Sequence, residues 1–259
     1  MKIKITVLMS VYNSDLYLSN AINSILKQSY ANFEFIIIND GSTDNSLSII
    51  KQFSIKDSRI IIIDQENQGL TKSLNNGIKI AKGEYIARQD ADDISMPDRF
   101  LNFIDFINDK NQTDIYSTPA YTINETNEII KIIPYFFRRN GFNKRLLDYY
   151  NSLVHGTLII KSKIIKTNLY NENFRFSQDF ELYHRLMGIG YNISYDENNI
   201  SYKLRIHGNS ISTKNKKEQQ KLHKSIFISN NKKYYKPYLL NRVYFRFVDV
   251  IFFIKEKLK

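Results

Sequence analysis

Three carboxylates fall within four residues at Asp90-Ala91-Asp92-Asp93. At that spacing they repel one another unless a cation or hydrogen-bond donors compensate them. Oxygen donors of this kind suit magnesium or manganese. The cluster follows the apolar run Gly83 to Gln89 directly, and within that run Arg88 is a cation able to face a diphosphate. A bare Asp-x-Asp-Asp would otherwise be a solvated acidic turn ahead of the helix near Pro97, so its position at a strand end gives it weight. Polar clusters also follow apolar runs at Tyr12-Asn13, Asn39-Asp40-Gly41-Ser42 and Glu66-Asn67-Gln68-Gly69.

The elements that must carry these clusters alternate regularly. Ile3 to Tyr12 reads as a strand, and Leu18, Ala21, Ile22, Ile25 and Leu26 recur at helical spacing. Phe33 to Ile38 is a continuous apolar run, as expected of a strand buried on both faces. Asp40 to Thr43 supplies a turn and a helix cap, followed by a helix through Leu47, Ile50 and Phe53. Arg59 to Asp64 predicts a third strand, Leu70 to Ala81 a third helix and Gly83 to Gln89 a fourth strand. Such a series implies a mostly parallel sheet flanked by helices, with ligands at the carboxyl ends of the strands. A helix follows Pro97 to about Asp109, and Ile115 to Pro134 reads as short strands and loops. Further on, His155 to Ile160 suggests a strand, Asp179 to Met187 a short helix and Tyr191 to Leu204 one or two strands.

A chain of 259 residues with 42% hydrophobic content can bury a full core. It carries 37 Lys and Arg against 26 Asp and Glu, but 13 of those bases and only 3 of the acids lie in Lys214 to Lys259. The positive charge therefore belongs to the tail. Cysteine is absent, which excludes a disulfide framework and a thiol nucleophile and fits a reducing cytoplasm. The apolar start is short and alternating, and reads as a strand rather than a signal peptide. No apolar stretch approaches the roughly 20 residues of a membrane-spanning helix.

Four segments in order resemble the inverting glycosyltransferase family 2, whose members have the nucleotide-sugar-binding fold known as GT-A. They are Val7 to Asn13, Ile38 to Asp44, Asn67 to Leu70, and Gly83 to Asp93. Beyond Phe100 the likeness thins to three islands: His155-Gly156-Thr157, Gln178-Asp179, and Tyr202 to His207. The resemblance implies an α/β GT-A domain over residues 1–213, with a nucleotide-binding half (1–100) and an acceptor-side half (101–213), and a basic amphipathic helical tail over 214–259.

Carried over by position, the resemblance implies that Tyr12 packs on a uracil ring, Asp40 accepts its imide N–H and Asn67 helps to hold the nucleoside. Asp90 would contact the ribose, and Asp92 would bind a manganese or magnesium ion bridging the donor's two phosphates. His207 would be a further metal or phosphate contact, with Arg88 and Arg205 as charge partners of the diphosphate. Asp179 is the expected general base. Glu181 lies about 200° away around a helix, so the two carboxylates cannot face one substrate. Asn39 stands where many relatives carry an acid. Duller roles stay open: core packing for Tyr12, helix caps for Asp40, Asp93 and Asp179, a support of the metal ligands for Asp93, a surface or core position for His207, and a structural one for His155.

The chemistry asks for such groups independently. Displacing a nucleoside diphosphate leaves negative charge on phosphate, which a divalent cation stabilises, and the attacking hydroxyl must lose a proton to a base. The expected partners are thus a nucleotide-sugar and a saccharide or lipid-linked saccharide acceptor, the resemblance implying a UDP-sugar as donor and a bacterial surface glycan as acceptor. A nucleotidyltransferase would carry a glycine-rich basic loop after the first strand, where this chain has Val11-Tyr12-Asn13-Ser14. The basic, aromatic tail also raises nucleic-acid binding. Its Leu240, Tyr244, Phe247, Val248 and Ile251 instead recur as an amphipathic helix, whose apolar stripe either docks on the catalytic domain or lies on an anionic membrane surface on the cytoplasmic side.

Overall fold

A computed structural model describes residues 4–110, 113–134, 151, 153–208 and 210, with 218, 219, 221, 222, 225 and 226 beyond them. The chain divides into two compact units, Met1–His223 and Lys224–Lys259. The expected boundary at Lys214 and nearly all of the tail helix lie outside the described residues, although 218, 219, 221, 222, 225 and 226 are helical. Among the described residues no helix is long and apolar enough to cross a membrane.

The first unit opens with the expected alternation. Strand β1 (Ile5–Val11), helix α1 (Asp15–Leu26), β2 (Phe33–Asp40), α2 (Ser46–Lys56), β3 (Ile60–Gln65), α3 (Leu70–Ile80) and β4 (Tyr85–Asp90) follow one another. After the acidic loop come β5 (Ile94–Ser95), α4 (Arg99–Asp109), β6 (Ile115–Ser117), β7 (Ala120–Ile123) and β8 (Ile129–Ile133). The rest is β9 (Ile159–Lys161), α5 (Ser162–Thr167), α6 (Gln178–Ile189), β10 (Ile193–Tyr195) and β11 (Tyr202–Arg205).

Seven strands form the main sheet in the order β10-β6-β9-β4-β1-β2-β3. All its pairs are parallel except those of β9, which runs antiparallel to both β4 and β6. This is the GT-A architecture. Strand alternation sends Ile5, Val7, Met9 and Val11 to one face, where they pack with α1, α2 and α4. Leu8, Ile36 and Ile38 go to the other, against α3, α5 and α6. All eight residues of β2 are buried, Glu34, Asn39 and Asp40 among them, as in a strand covered on both faces. Each aliphatic side chain buried this way stabilises the fold by about 1.5–3 kcal/mol.

Two expectations are corrected. His155 to Thr157 forms a 3₁₀ turn, and the strand begins only at Ile159. The cause is Thr157, whose N–H and Oγ1 both turn back to the Val154 carbonyl, at 2.9 and 2.8 Å. The cap of α2 is not at Asp40 to Thr43, because the loop runs on to Asp44, whose carboxylate accepts the Ser46 N–H at 2.9 Å. The short strands expected after Ile115 divide between two sheets, β6 joining the main one while β7 and β8 leave it. With β5 and β11 they build a second sheet ordered β5-β11-β7-β8.

At the sheet end away from the acidic loop, the Gly83 N–H donates to Thr6 Oγ1, which donates to the buried Glu34. A Cβ on Gly83 would lie 2.4 Å from the Thr6 nitrogen and 2.6 Å from the Ile5 carbonyl carbon. Both obstacles are backbone, so Gly83→Ala should destabilise the protein by about 1–3 kcal/mol. Thermal unfolding should show a drop of roughly 2–4 °C per kcal/mol. Unchanged melting would mean that the two chains separate freely here.

Candidate functional site

The carboxyl ends of β1, β2 and β3 are knitted into one surface. Asn13, in the left-handed region at φ 47°, donates its N–H to Ser42 Oγ and accepts the Thr43 N–H at 2.8 Å. Asp40, 2% exposed, accepts the Gln68 and Gly69 N–H groups at 2.9 Å each and Gln65 Nε2 at 2.8 Å. Gly41 is required by contact as well as conformation: at φ +69° its missing Cβ would stand 2.6 Å from the Asn67 nitrogen. Tyr12 (52% exposed) and Asn67 are left facing solvent above this seam.

The acidic loop leaves β4 with its backbone pinned. Tyr202 Oη accepts the Asp90 N–H at 3.0 Å, and Gln89 Nε2 donates to the carbonyls of Asp90 and Asp93. Asp93 points inward and accepts the Arg205 N–H at 2.7 Å. Burial, with Asp92 and Asp90 nearby, pushes its carboxyl well above the ordinary carboxylate range. Burial also raises Asp90, against the pull of Arg88. Asp90 nevertheless keeps 30% of its side chain exposed, and Asp92 is the other outward member. Its Oδ2 lies 2.9 Å from His207 Nε2, and its side chain is 31% exposed.

Two guanidinium groups lie under this loop, on opposite faces of β4. Arg88 pairs with Asp90 and donates to the Gln89 carbonyl, while its Nε has no partner. Burial opposes its charge, but Asp90 and Asp93 with the Tyr170 and Tyr202 hydroxyls together raise its pKa. Arg88 also lines a cavity of about 20 Å³ with Tyr170 and Tyr183. Arg99, the first residue of α4, is fully buried. It donates to Gln89 Oε1, Ser95 Oγ and the carbonyls of Arg88 and Gly156. Burial lowers its pKa to about 10. Sequence reasoning missed Arg99, Gln89 and Tyr202 as parts of the site. The available signal was an arginine opening a helix, where a cation opposes the dipole and needs another reason.

The remaining expected residues separate clearly. Arg205 has its guanidinium occupied within the protein, donating to Asp92, Asn124 and Glu125 carbonyls and to Asn127 Oδ1. Asp179 lies one residue inside α6, whose cap position is Ser177, and accepts Asn151 Nδ2 at 2.6 Å. Burial raises its carboxyl above the ordinary value, with a contribution from Asp90 that places the two in one field. Glu181 is held by Arg185 through both oxygens, at 2.7 and 3.1 Å. His155 Nε2 bonds Tyr170 Oη at 2.7 Å, and burial with Arg88 nearby depresses its pKa.

Among the described residues no three His, Asp or Glu side chains gather into a metal cage. The Asp92 and His207 pair nevertheless offers one oxygen and one nitrogen converging on a single point, a donor set that suits manganese or magnesium if phosphate oxygens complete the shell.

Comparisons agree with this geometry. The family described as Glycosyl transferase family 2 matches residues 6–168. A glycosyltransferase of Haemophilus influenzae is 30% identical over 251 residues, 92% of this chain and 75% of that protein. One from Methanocaldococcus jannaschii is 32% identical over 249 residues, 93% and 83% of the two chains. Among solved structures, Staphylococcus aureus TarS bound to UDP is similar with a TM-score of 0.67 at 19% identity, covering 86% of this chain and 64% of that one. The mannosyltransferase PcManGT of Pyrobaculum calidifontis, bound to GDP-Man and Mn²⁺, gives 0.63 at 13%, covering 88% and 63%. The chain thus spans just under two thirds of these solved chains.

The raised carboxyl of Asp179 has a consequence for stability. Its protonated form is favoured by folding, so the contribution present below its ordinary value of 3.8 is lost as the pH rises through the folded value. Asp179→Asn removes that dependence while keeping an oxygen for Asn151. The variant's melting temperature relative to the parent should therefore climb from about pH 4 upward. A difference that stays constant with pH would mean that Asp179 is as well solvated folded as unfolded.

Proposed function

The chain belongs to glycosyltransferase family 2, and from that premise we propose that it transfers a sugar from a nucleotide-sugar, a UDP-sugar, to a saccharide hydroxyl with inversion at the anomeric carbon. The observation that carries this reading is the convergence of Asp92 and His207, 115 positions apart, at the strand ends where Asp40 and Tyr12 also lie. The TarS structure with UDP and the PcManGT structure with GDP-Man and Mn²⁺ support a nucleotide-sugar donor and a divalent cation.

In this reading Tyr12 stacks on the base. Asp40 uses three of its roughly four acceptor sites to hold the Glu66 to Gly69 loop and has one left for the uracil imide N–H. Asn67, on that loop, faces the nucleoside. Asp90 reaches the ribose, held in place from below by Arg88. Asp92 and His207 hold a manganese or magnesium ion, which would neutralise charge growing on the departing diphosphate. Asp179 takes the proton of the acceptor hydroxyl as that oxygen bonds the anomeric carbon and the bond to phosphate breaks. Its raised pKa makes it a better proton acceptor than an exposed aspartate, and Glu181 is unsuited because Arg185 occupies it. The acceptor in this reading belongs to a bacterial surface glycan. The charge of Lys214 to Lys259 supports a lipid-linked form met at an anionic membrane surface on the cytoplasmic side.

A thermal-shift panel of UDP- and GDP-sugars, with and without Mn²⁺, tests the donor. A true donor at about 100 times its Kd stabilises by about 2.7 kcal/mol. The shift should require Mn²⁺ and vanish in Asp92→Ala, and an equal shift with chelator would remove Asp92 from metal binding. Asp179→Asn should lower turnover by roughly 10²–10⁴-fold with donor affinity nearly intact. Near-normal turnover would end the assignment of the base.

A further inference from the structure

Arg205 is 2% exposed, and none of its acceptors is a carboxylate bonded to the guanidinium. Its Nε donates to the Asp92 carbonyl at 2.8 Å, Nη1 to the Asn124 carbonyl at 2.8 Å, and Nη2 to Asn127 Oδ1 at 2.7 Å. Its own N–H holds Asp93 at 2.7 Å. The guanidinium also lies 4.3 Å from the centre of the Tyr17 ring, whose centroid stands 5.4 Å from that of His207. One side chain therefore joins the main chain of Asp92, the turn between β7 and β8, and the aromatic neighbour of His207. An arginine serving a diphosphate needs free N–H groups, and here four of the five are engaged within the protein.

We propose that Arg205 is a positioning residue: by anchoring the Asp92 main chain to the Asn124–Asn127 turn, it fixes the Asp92 and His207 side chains at the separation a divalent cation requires. This rests on the reading of Asp92 and His207 as the metal pair. The planar fork is essential, because a lysine ammonium cannot reach the Asp92 carbonyl and the turn together. The second sheet thereby acts on the metal site through a turn that itself holds no ligand. Asn127 is the accessible handle. It stands at φ 69°, so glycine keeps its backbone conformation and removes only the carboxamide that receives Nη2.

The experiment uses the full chain and three variants, Arg205→Lys, Asn127→Gly and Asp92→Asn. Mn²⁺ binding is read by the loss of the free-ion electron paramagnetic resonance signal at saturating UDP, and UDP binding by calorimetry in chelator. Expected are a loss of Mn²⁺ binding in Asp92→Asn and a weakening of about tenfold in each of the other two. UDP affinity in chelator should be unchanged in Arg205→Lys and Asn127→Gly. Combining those two should add little to Arg205→Lys alone, since both cut one link. Should Arg205→Lys fail to fold, Asn127→Gly carries the measurement. If Asp92→Asn loses Mn²⁺ while Asn127→Gly binds it normally, the positioning role is overturned and the metal pair stands. If Arg205→Lys weakens UDP in chelator, the guanidinium serves phosphate instead, which also overturns it. Normal Mn²⁺ binding in Asp92→Asn removes the metal pair and this proposal together.

Discussion

Negative charge must be packed tightly at the end of β4, and the rest of the site is arranged around making that tolerable. Asp90, Asp92 and Asp93 cannot all be left to water, because Asp93 is buried and desolvation raises both its carboxyl and that of Asp90. Arg88 and Arg99 supply opposite charge from the two faces of the strand. Buried guanidinium groups are costly unless nearly every N–H is bonded. Gln89 Oε1, Ser95 Oγ and the carbonyls of Arg88 and Gly156 meet that demand for Arg99. The same demand explains Gly156, where a Cβ would lie 2.4 Å from the Tyr202 ring that covers Arg99 at 5.1 Å. A rigid floor results, from which Asp92 and Asp90 project outward, with side chains 31% and 30% exposed.

The second sheet completes what that floor begins. β5 follows the acidic loop directly and pairs antiparallel with β11, Tyr202 opposite Ser95 and Lys203 opposite Ile94. This register carries Arg205 back alongside Asp92 and Asp93, and brings His207 to Asp92. β7 on the other side of β11 fixes the strand in parallel, Arg205 beside Ile123. A two-residue strand thus joins the first half of the chain to the segment that carries the distant His207. Short pairing is enough because Arg205 adds its own bonds at the end of the ladder.

What was legible in the sequence follows from how strongly each segment is patterned. β1 to β4 and their helices are long apolar runs with clear periods, and their strand ends marked Tyr12, Asp40, Asn67 and the acidic loop correctly as neighbours of one edge. Asp179 and Glu181 were separable from angle alone, and the Arg185 pairing of Glu181 agrees with that geometry. The second sheet was not legible, since strands of two to five residues such as β5 and β7 carry no period to read. Arg88 and Arg205 were visible as cations near the site, but nothing in a sequence says whether a guanidinium faces a ligand or a carbonyl. Arg99 was invisible for a related reason: one arginine at a helix start looks like any exposed one until its burial is known.

Backbone strain also marks where the chain has been held in place. Among the described residues three without glycine's freedom have positive φ, and they are Asn13, Asn127 and Ser177. Asparagine enters that region at little cost, but serine at φ 63° is less at ease, and its hydroxyl is buried without a partner. Ser177 immediately precedes Gln178 and Asp179, so the strain sits at the entry of the helix that aims the proposed base. Strain of about 1–3 kcal/mol persists only where surroundings over-determine the conformation. The buried Gln178 and Phe180 on either side of Asp179 supply that determination. A relaxed entry would begin α6 with an ordinary cap and a different rotation of its first turn, and Asp179 would leave the shared field of Asp90. The orientation of that carboxylate is therefore set by packing behind it, before any substrate arrives.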